Sequence, residues 1–554
     1  MSELKSKYKS SIKRVLPAAT VALALLLPIS AHAAAPGITG TGTGTAGAPV
    51  FNLTAQDARI TQPDGQSIYS WGYGCATGST PTFAPEAVNT SNLITPCPTM
   101  QIPGPTLIVN ENDTVTVHLK NNLPNGAGNT SILFPGFDVS GPATAASDYG
   151  VQGVLTREAA PGATVTYTFT AKSAGTRPYY SGTQGDLQVE MGLYGAIIVL
   201  PDSSKVSASC LTTQNDKARG AYLATVGGGT EKDFRLAEAA FDGLASACYD
   251  REYLFQFSEI DPRIHSQAEA QVAALSLCTV NCGLDVQTEP YHPTYFMVNG
   301  RSMPDDMDTN YAVEYPHQPY NGNPHMHPGE LVLLRIVGQG RWQHPFHEHG
   351  NHVRILARDG NLILSQADPT KLAGPLLFTT TTTPGVAMDG IFYWTGKGLN
   401  WDVYGHHGTT DAANSAALPC SPDANGYNTL GTSYQAINYY EWCADHNKPL
   451  EKAPFGDVGG GGPATLPDPN YLTNGTWYGG SAYLGPDATV RATGPTGSTP
   501  PSGTIGNGPS SEAGFAFMWH SHNEREITTN NVFPGGMMMM MLVDSREFQI
   551  DESN

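Results

Sequence analysis

Two short segments gather imidazoles at spacings that can build a metal site. The first is His344-Pro-Phe-His347-Glu-His349-Gly-Asn-His352, and the second is Trp519-His520-Ser-His522. Side chains alternate between the two faces of a strand, so His347 and His349 share one face, as do His520 and His522. If the two strands are neighbours, four imidazoles converge on one or two ions. Imidazole suits copper, zinc, iron or nickel. The competing reading is that these histidines hydrogen-bond to Glu348, Glu524 or water. His344 and Ser521 have the opposite parity and point to a separate location inside the domain. His325-Met-His327 has period-2 spacing just before the apolar run at Leu331, and His406-His407, Glu524 and Glu526 are further candidate ligands.

The elements that must hold these residues are strands. With 61 Gly and 42 Pro in 554 residues and only 14% charged residues, the chain reads as many short strands joined by turns. Val115, Val117 and Leu119 alternate on one face of a strand after the turn Asn110-Glu-Asn-Asp113, and His118 falls on the other face as an exposed strand histidine. Val165, Tyr167 and Phe169 alternate likewise, and Tyr194 to Leu200 closes a first domain spanning 49–205. Residues 206–250 form a connector. A second domain, 251–550, includes strand signals at 295–299, 331–337, 352–357, 515–522 and 537–543 and an insertion at about 396–512, where the pattern dissolves into Gly, Pro, Asn, Thr and Tyr. The fold class expected is all-β.

The chain opens with a signal-peptide pattern over 1–35: Lys5, Lys7, Lys9, Lys13 and Arg14, an apolar stretch from Ala18 to Ile29, and Ala31-His32-Ala33. A flexible Gly/Thr/Ala/Pro leader follows over 36–48. Export to a secreted or periplasmic location is expected, with no membrane span in the mature chain. Removing residues 1–35 takes the basic and acidic counts from 29 and 49 to 24 and 48, a formal charge of −24. Such a surface repels nucleic acid and anionic membrane and attracts metal ions, though solubility alone accounts for it. Eight cysteines in an oxidising compartment favour disulfides, paired by sequence proximity as Cys75–Cys97, Cys210–Cys248, Cys278–Cys282 and Cys420–Cys443. Met537 to Met541 run along a strand, where core packing is the default and thioether binding of Cu(I) the alternative. Asn474-Gly-Thr476 fits a glycosylation pattern, and no Gly-x-Ser-x-Gly or zinc-protease motif supports a hydrolase.

The His344–His349 segment resembles the His-Pro-x-His-x-His-Gly motif of multicopper oxidases, and His520-Ser-His522 resembles their His-Cys-His motif. Gln101-Ile-Pro-Gly-Pro-Thr106, Met191-Gly-Leu-Tyr-Gly195 and Val298-Asn-Gly300 extend the likeness over most of 50–205 and 250–395 and the final forty or so residues. The resemblance implies tandem cupredoxin-like Greek-key β-sandwich domains and copper as cofactor. It makes His347, His349, His520 and His522 ligands of the copper cluster and His344 a type 1 copper ligand. By analogy with two-domain relatives it implies a homotrimer. Four departures stand against a complete oxidase. Ser521 occupies the type 1 cysteine position, and Glu526 that of the second type 1 histidine. Leu133 and Pro135 align with one pair of first-domain histidines, and Tyr180 and Gly182 with another.

Two functions follow. One is an oxidase-family copper protein with a mono- or dinuclear site at His347, His349, His520 and His522 and no blue copper, acting as an oxidoreductase if active. The other is a non-enzymatic scaffold, assembly or copper-sequestering protein.

Overall fold

A computed structural model describes residues 35–397 apart from gaps at 41–46, 85–96, 142–147, 207–237, 244–247, 279–282 and 327–328. It also describes 420–428, 442–445, short strands between 451 and 483, and 514–544. The signal pattern, His327, His406, His407, Asn474 and nearly all of the insertion lie outside the described residues.

Two β-sandwiches follow each other along the chain. In the first, a five-stranded sheet runs in the order 175–180, 194–200, 107–110, 37–39, 82–84, and it faces a four-stranded sheet ordered 67–75, 50–61, 114–121, 164–170. Val115, Val117, Leu119, Val165 and Tyr167 turn inward here, joined by Trp71, Tyr73 and Phe134. Alternation on two antiparallel neighbours thus becomes one wall of a core. His118 is partly exposed and sits 2.7 Å from Thr166 Oγ1 through Nδ1.

The second sandwich pairs a seven-stranded sheet with a six-stranded one. The larger runs 295–298, 251–260, 331–338, 387–393, 353–358, 361–362, with 376–377 also pairing with 353–358. The smaller runs 325–326, 538–544, 514–521, 344–348, 379–382, with 480–483 also on the 514–521 strand. Strands 251–260 and 331–338 are covered on both faces, so their residues are buried almost without a break, apolar along most of 331–338 and half polar along 251–260. One face builds the core with Phe255, Phe257, Phe346, Trp519, Met537, Met539 and Met541. The methionine run therefore packs, as its default reading expects, with Met540 only partly buried.

The other face of the larger sheet meets the first sandwich. Leu254, Val337 and Ala387 contact Ile108, Ala196 and Ile198. A buried polar lock reinforces the seam. Arg335 pairs with Glu252 at 2.7 Å and Asp389 at 3.3 Å, and Thr176 of the first sandwich donates to Asp389 at 2.6 Å.

One helix, Pro262–Ala274, interrupts the strand pattern, with Asp261 as N-cap accepting from the Arg263 amide at 3.0 Å and proline in its first turn. Cys75–Cys97 and Cys420–Cys443 are bonded as expected, and Cys248 and Cys278 are bonded to partners outside the described residues. No helix among the described residues is long and apolar enough to cross a membrane.

Candidate metal centre

The 344–348 and 514–521 strands are antiparallel neighbours, with His347 directly opposite His520. That register brings the four imidazoles together. Ring centres lie 4.7 Å apart for His347 and His349, 5.0 Å for His347 and His522, 5.1 Å for His349 and His520, and 5.8 Å for His520 and His522. His349 Nε2 and His520 Nε2 are 3.1 Å apart. Two nitrogens held about 2.0 Å from one ion at a tetrahedral angle stand about 3.3 Å apart, so this pair has ligand spacing. No three His, Cys, Asp or Glu side chains among the described residues already meet at one point. The remaining two rings are therefore within reach rather than in place.

The rings are held by the shell around them. His347 Nδ1 lies 2.7 Å from Thr379 Oγ1, His520 Nδ1 lies 2.8 Å from the carbonyl oxygen of Ser521, and Trp519 donates its indole N–H to the His349 carbonyl at 2.9 Å. The carbonyl oxygen only accepts, so it puts the proton of neutral His520 on Nδ1 and presents Nε2, while the Thr379 hydroxyl orients the His347 ring. Burial, with the neighbouring imidazoles adding to it, pushes His347 down to about 4. Burial lowers His520 as well. Both are therefore neutral at physiological pH, the form that binds metal. His522 is exposed, and Phe378, 54% exposed, stands beside His347 and His352, so the cluster opens to solvent. Glu348 points to the opposite face, where Thr380 donates to it at 2.6 Å. Glu524 is exposed.

His344 and Ser521 meet on that opposite face. His344 Nε2 is 2.9 Å from Glu259 Oε2, and its Nδ1 is 3.0 Å from Glu526 Oε2. Ser521 donates its hydroxyl to the same Glu526 oxygen, and Asn523 donates to the other at 2.9 Å. Glu259 in turn accepts from the Arg341 and Trp342 amides at 2.6 and 2.8 Å. Tyr291 donates to Glu190 at 2.6 Å and lies 3.1 Å from Glu259. His344, Ser521, Glu526, Glu259 and Glu190 are all at most 1% exposed. Burial alone would lower the His344 pKa, but the two flanking carboxylates outweigh it and hold it up at about 9. Its charged form keeps a proton on each nitrogen and has no lone pair for a metal. For His344 to take the type 1 ligand role expected of it, a ring nitrogen would have to give up one of these carboxylates. Sequence reasoning did not single out Glu259, Glu190 or Tyr291; an acidic residue such as Glu259 within a fully buried strand marks a buried partner.

Residues 93–204 match the multicopper oxidase family model. Laccase-1 of Emericella nidulans is 38% identical over 119 residues, 22% of this chain and 17% of that protein. Multicopper oxidase MCE of Talaromyces pinophilus is 38% identical over 101 residues, 18% of this chain and 15% of that one. The stretch that carries the likeness to this family, residues 93–204, is part of the first sandwich. This chain spans less than a fifth of the length of these curated relatives. A solved blue copper oxidase from Nitrosomonas europaea is similar at 15% identity and a TM-score of 0.42, covering 89% of this chain and 85% of that one. The fold is all-β, with two β-sandwiches in tandem.

The four first-domain positions expected to align with histidines are packed among other groups. The Leu133 amide donates to the Tyr180 carbonyl at 2.7 Å, and a Cβ placed on Gly182 would lie 2.8 Å from Leu133 Cγ. Leu133 and Pro135 border a cavity of about 540 Å³ with Phe134, Arg157 and Tyr167. A histidine returned to position 182 alone would meet the Leu133 side chain. His325 also stands apart from the cluster. It pairs with Leu542, which pairs with Ala516, four residues along the strand from His520. That offset is roughly 13 Å along the strand and about 10 Å across two strand spacings. Register places His325 on the edge strand of the sheet.

Proposed function

We propose that this chain is an exported copper-binding member of the multicopper oxidase family with a reduced, mono- or dinuclear site at His347, His349, His520 and His522 and no type 1 copper. The observation that carries the reading is the 3.1 Å approach of His349 Nε2 to His520 Nε2, with two further imidazoles within one ring's width. Bound copper would supply one-electron redox chemistry and a site for dioxygen. The chain's part is to present neutral imidazoles: the Ser521 carbonyl sets the tautomer of His520, Thr379 orients His347, and the exposed side at His522 and Phe378 leaves room for a small reductant. Electrons have no cysteine thiolate to pass through, so any oxidation takes place at the cluster itself.

The decisive experiment is copper content by mass spectrometry with paramagnetic resonance on the full exported chain. One or two coppers per chain, absent from a His349→Ala, His520→Ala double variant and lacking intense blue absorption, is the expected result. No stoichiometric copper after loading refutes the proposal. The non-enzymatic alternative draws on the repacked first-domain positions. It predicts bound copper without dioxygen-dependent turnover. Export and a trimeric assembly belong to the same proposal, and a monomer by light scattering would remove the latter.

A further inference from the structure

Away from the histidine cluster, one fully buried acid has no ion-pair partner among the described residues. Asp306 lies in the short turn Asp305–Met307, is 0% exposed, and neither carboxylate oxygen accepts a hydrogen bond. Arg301, the nearest guanidinium in the sequence, acts on Asp306 through its charge but directs two of its three nitrogens to backbone carbonyls, with Nη2 unbonded. It donates from Nε to the Gln318 carbonyl at 2.7 Å and from Nη1 to the carbonyls of Asp305, Asp308 and Thr309 at 3.0 to 3.3 Å. No ion pair joins it to Asp306 among the described residues. An isolated carboxylate in such a place is too costly to keep, so it must be protonated or bound to a cation.

The surroundings favour the cation. The backbone of Asn321-Gly322-Asn323 lies against the carboxylate, and a Cβ on Gly322 would stand 3.6 Å from Asp306 Oδ2. The Gly322 amide donates to the Asp306 carbonyl at 2.6 Å, which ties the two segments together. Asn323, 91% buried, has its amide oxygen without a hydrogen-bond partner. Asp305 and Asp308 flank Asp306 in sequence and add negative charge that one arginine does not balance. Three unpartnered oxygens, two of them from a carboxylate, thus lie on two segments tied together at Gly322, and all three are hard donors. Such a set suits calcium, with waters and carbonyls completing the shell, and not copper.

We propose that Asp306 and Asn323 hold a calcium ion that pins the 305–310 turn to the 321–323 segment, independently of the copper site.

The test is thermal unfolding of the full chain in chelator-treated buffer, with and without millimolar calcium chloride, beside a count of bound calcium by mass spectrometry. The expected result is one calcium per chain and a melting point several degrees higher with calcium. The shift should be absent in Asp306→Asn and preserved in the His349→Ala, His520→Ala variant. Asn323→Ala should fold without calcium as the wild type does and bind at least tenfold more weakly, so it decides the matter if Asp306→Asn fails to fold. A wild type that binds no calcium and shows no shift overturns the proposal and leaves Asp306 as a neutral buried acid. A shift that survives in both Asp306→Asn and Asn323→Ala overturns it too, since the ion would then lie elsewhere.

Discussion

His344 is predicted to make the protein lose stability as pH rises from neutrality. Its pKa of about 9 stands against an ordinary value of 6.5. A displacement of that size corresponds to about 3 kcal/mol of folding stability, at about 1.4 kcal/mol per pH unit. Because the folded-state value is the raised one, the contribution is complete below pH 6.5, declines as pH climbs, and is lost above about 9. Glu190 and Glu348, both raised to about 8 by burial, push in the same direction but finish sooner. The perturbation that isolates the histidine is the triple variant His344→Gln, Glu259→Gln, Glu526→Gln, which removes its titration without leaving two buried carboxylates to titrate in its place. Urea unfolding of the full chain at intervals between pH 6 and 10 should show the wild type losing about 3 kcal/mol more than the variant over that range. Equal slopes for the two proteins, or a flat wild-type curve from pH 7 to 10, would refute the imidazolium.

Ser521→Cys restores the missing thiol but should not produce the intense blue absorption on copper loading, because Glu259 and Glu526 hold His344 in its metal-incompetent form; a blue product would show that His344 can be freed. Copper should stay bound in acid until His347 protonates near pH 4, which equilibrium dialysis across pH 3 to 7 measures, and release at pH 6 would contradict the neutral cluster. Arg335→Met should cost about 3–5 kcal/mol in denaturant unfolding, since it leaves Glu252 and Asp389 buried without their cation; a loss below about 1 kcal/mol would mean that the seam does not depend on the lock.

Local periodicity made the copper-side geometry legible. Parity alone puts His347 with His349 and His520 with His522, and it also sends His344 and Ser521 to another place, where they share Glu526. Alternation at Val115, Val117 and Leu119 marks a core strand for the same reason. Parity carries no information on partners far along the chain. Glu259 reaches His344 across 85 residues, and Thr176 reaches Asp389 across 213. His325 shares its spacing with the cluster histidines, yet strand order puts it at an edge. The Pro262–Ala274 helix follows a cap and a proline rather than an apolar stripe, with only Ile264, His265 and Ala268 buried, so its pattern is faint.

The pairing of the 344–348 strand with the 514–521 strand has a consequence for the order in which the molecule acquires its chemistry. His349 and His520 are separated by 171 residues. Closing so long a span is entropically unfavourable and is repaid only when the six-stranded sheet forms. A chain still emerging from the ribosome carries one half of the imidazole set without the other, and a full chain held unfolded carries both halves apart. If the proposed site takes copper, capture would wait until the last strands are in place, and folding would decide where in the cell the ion is acquired.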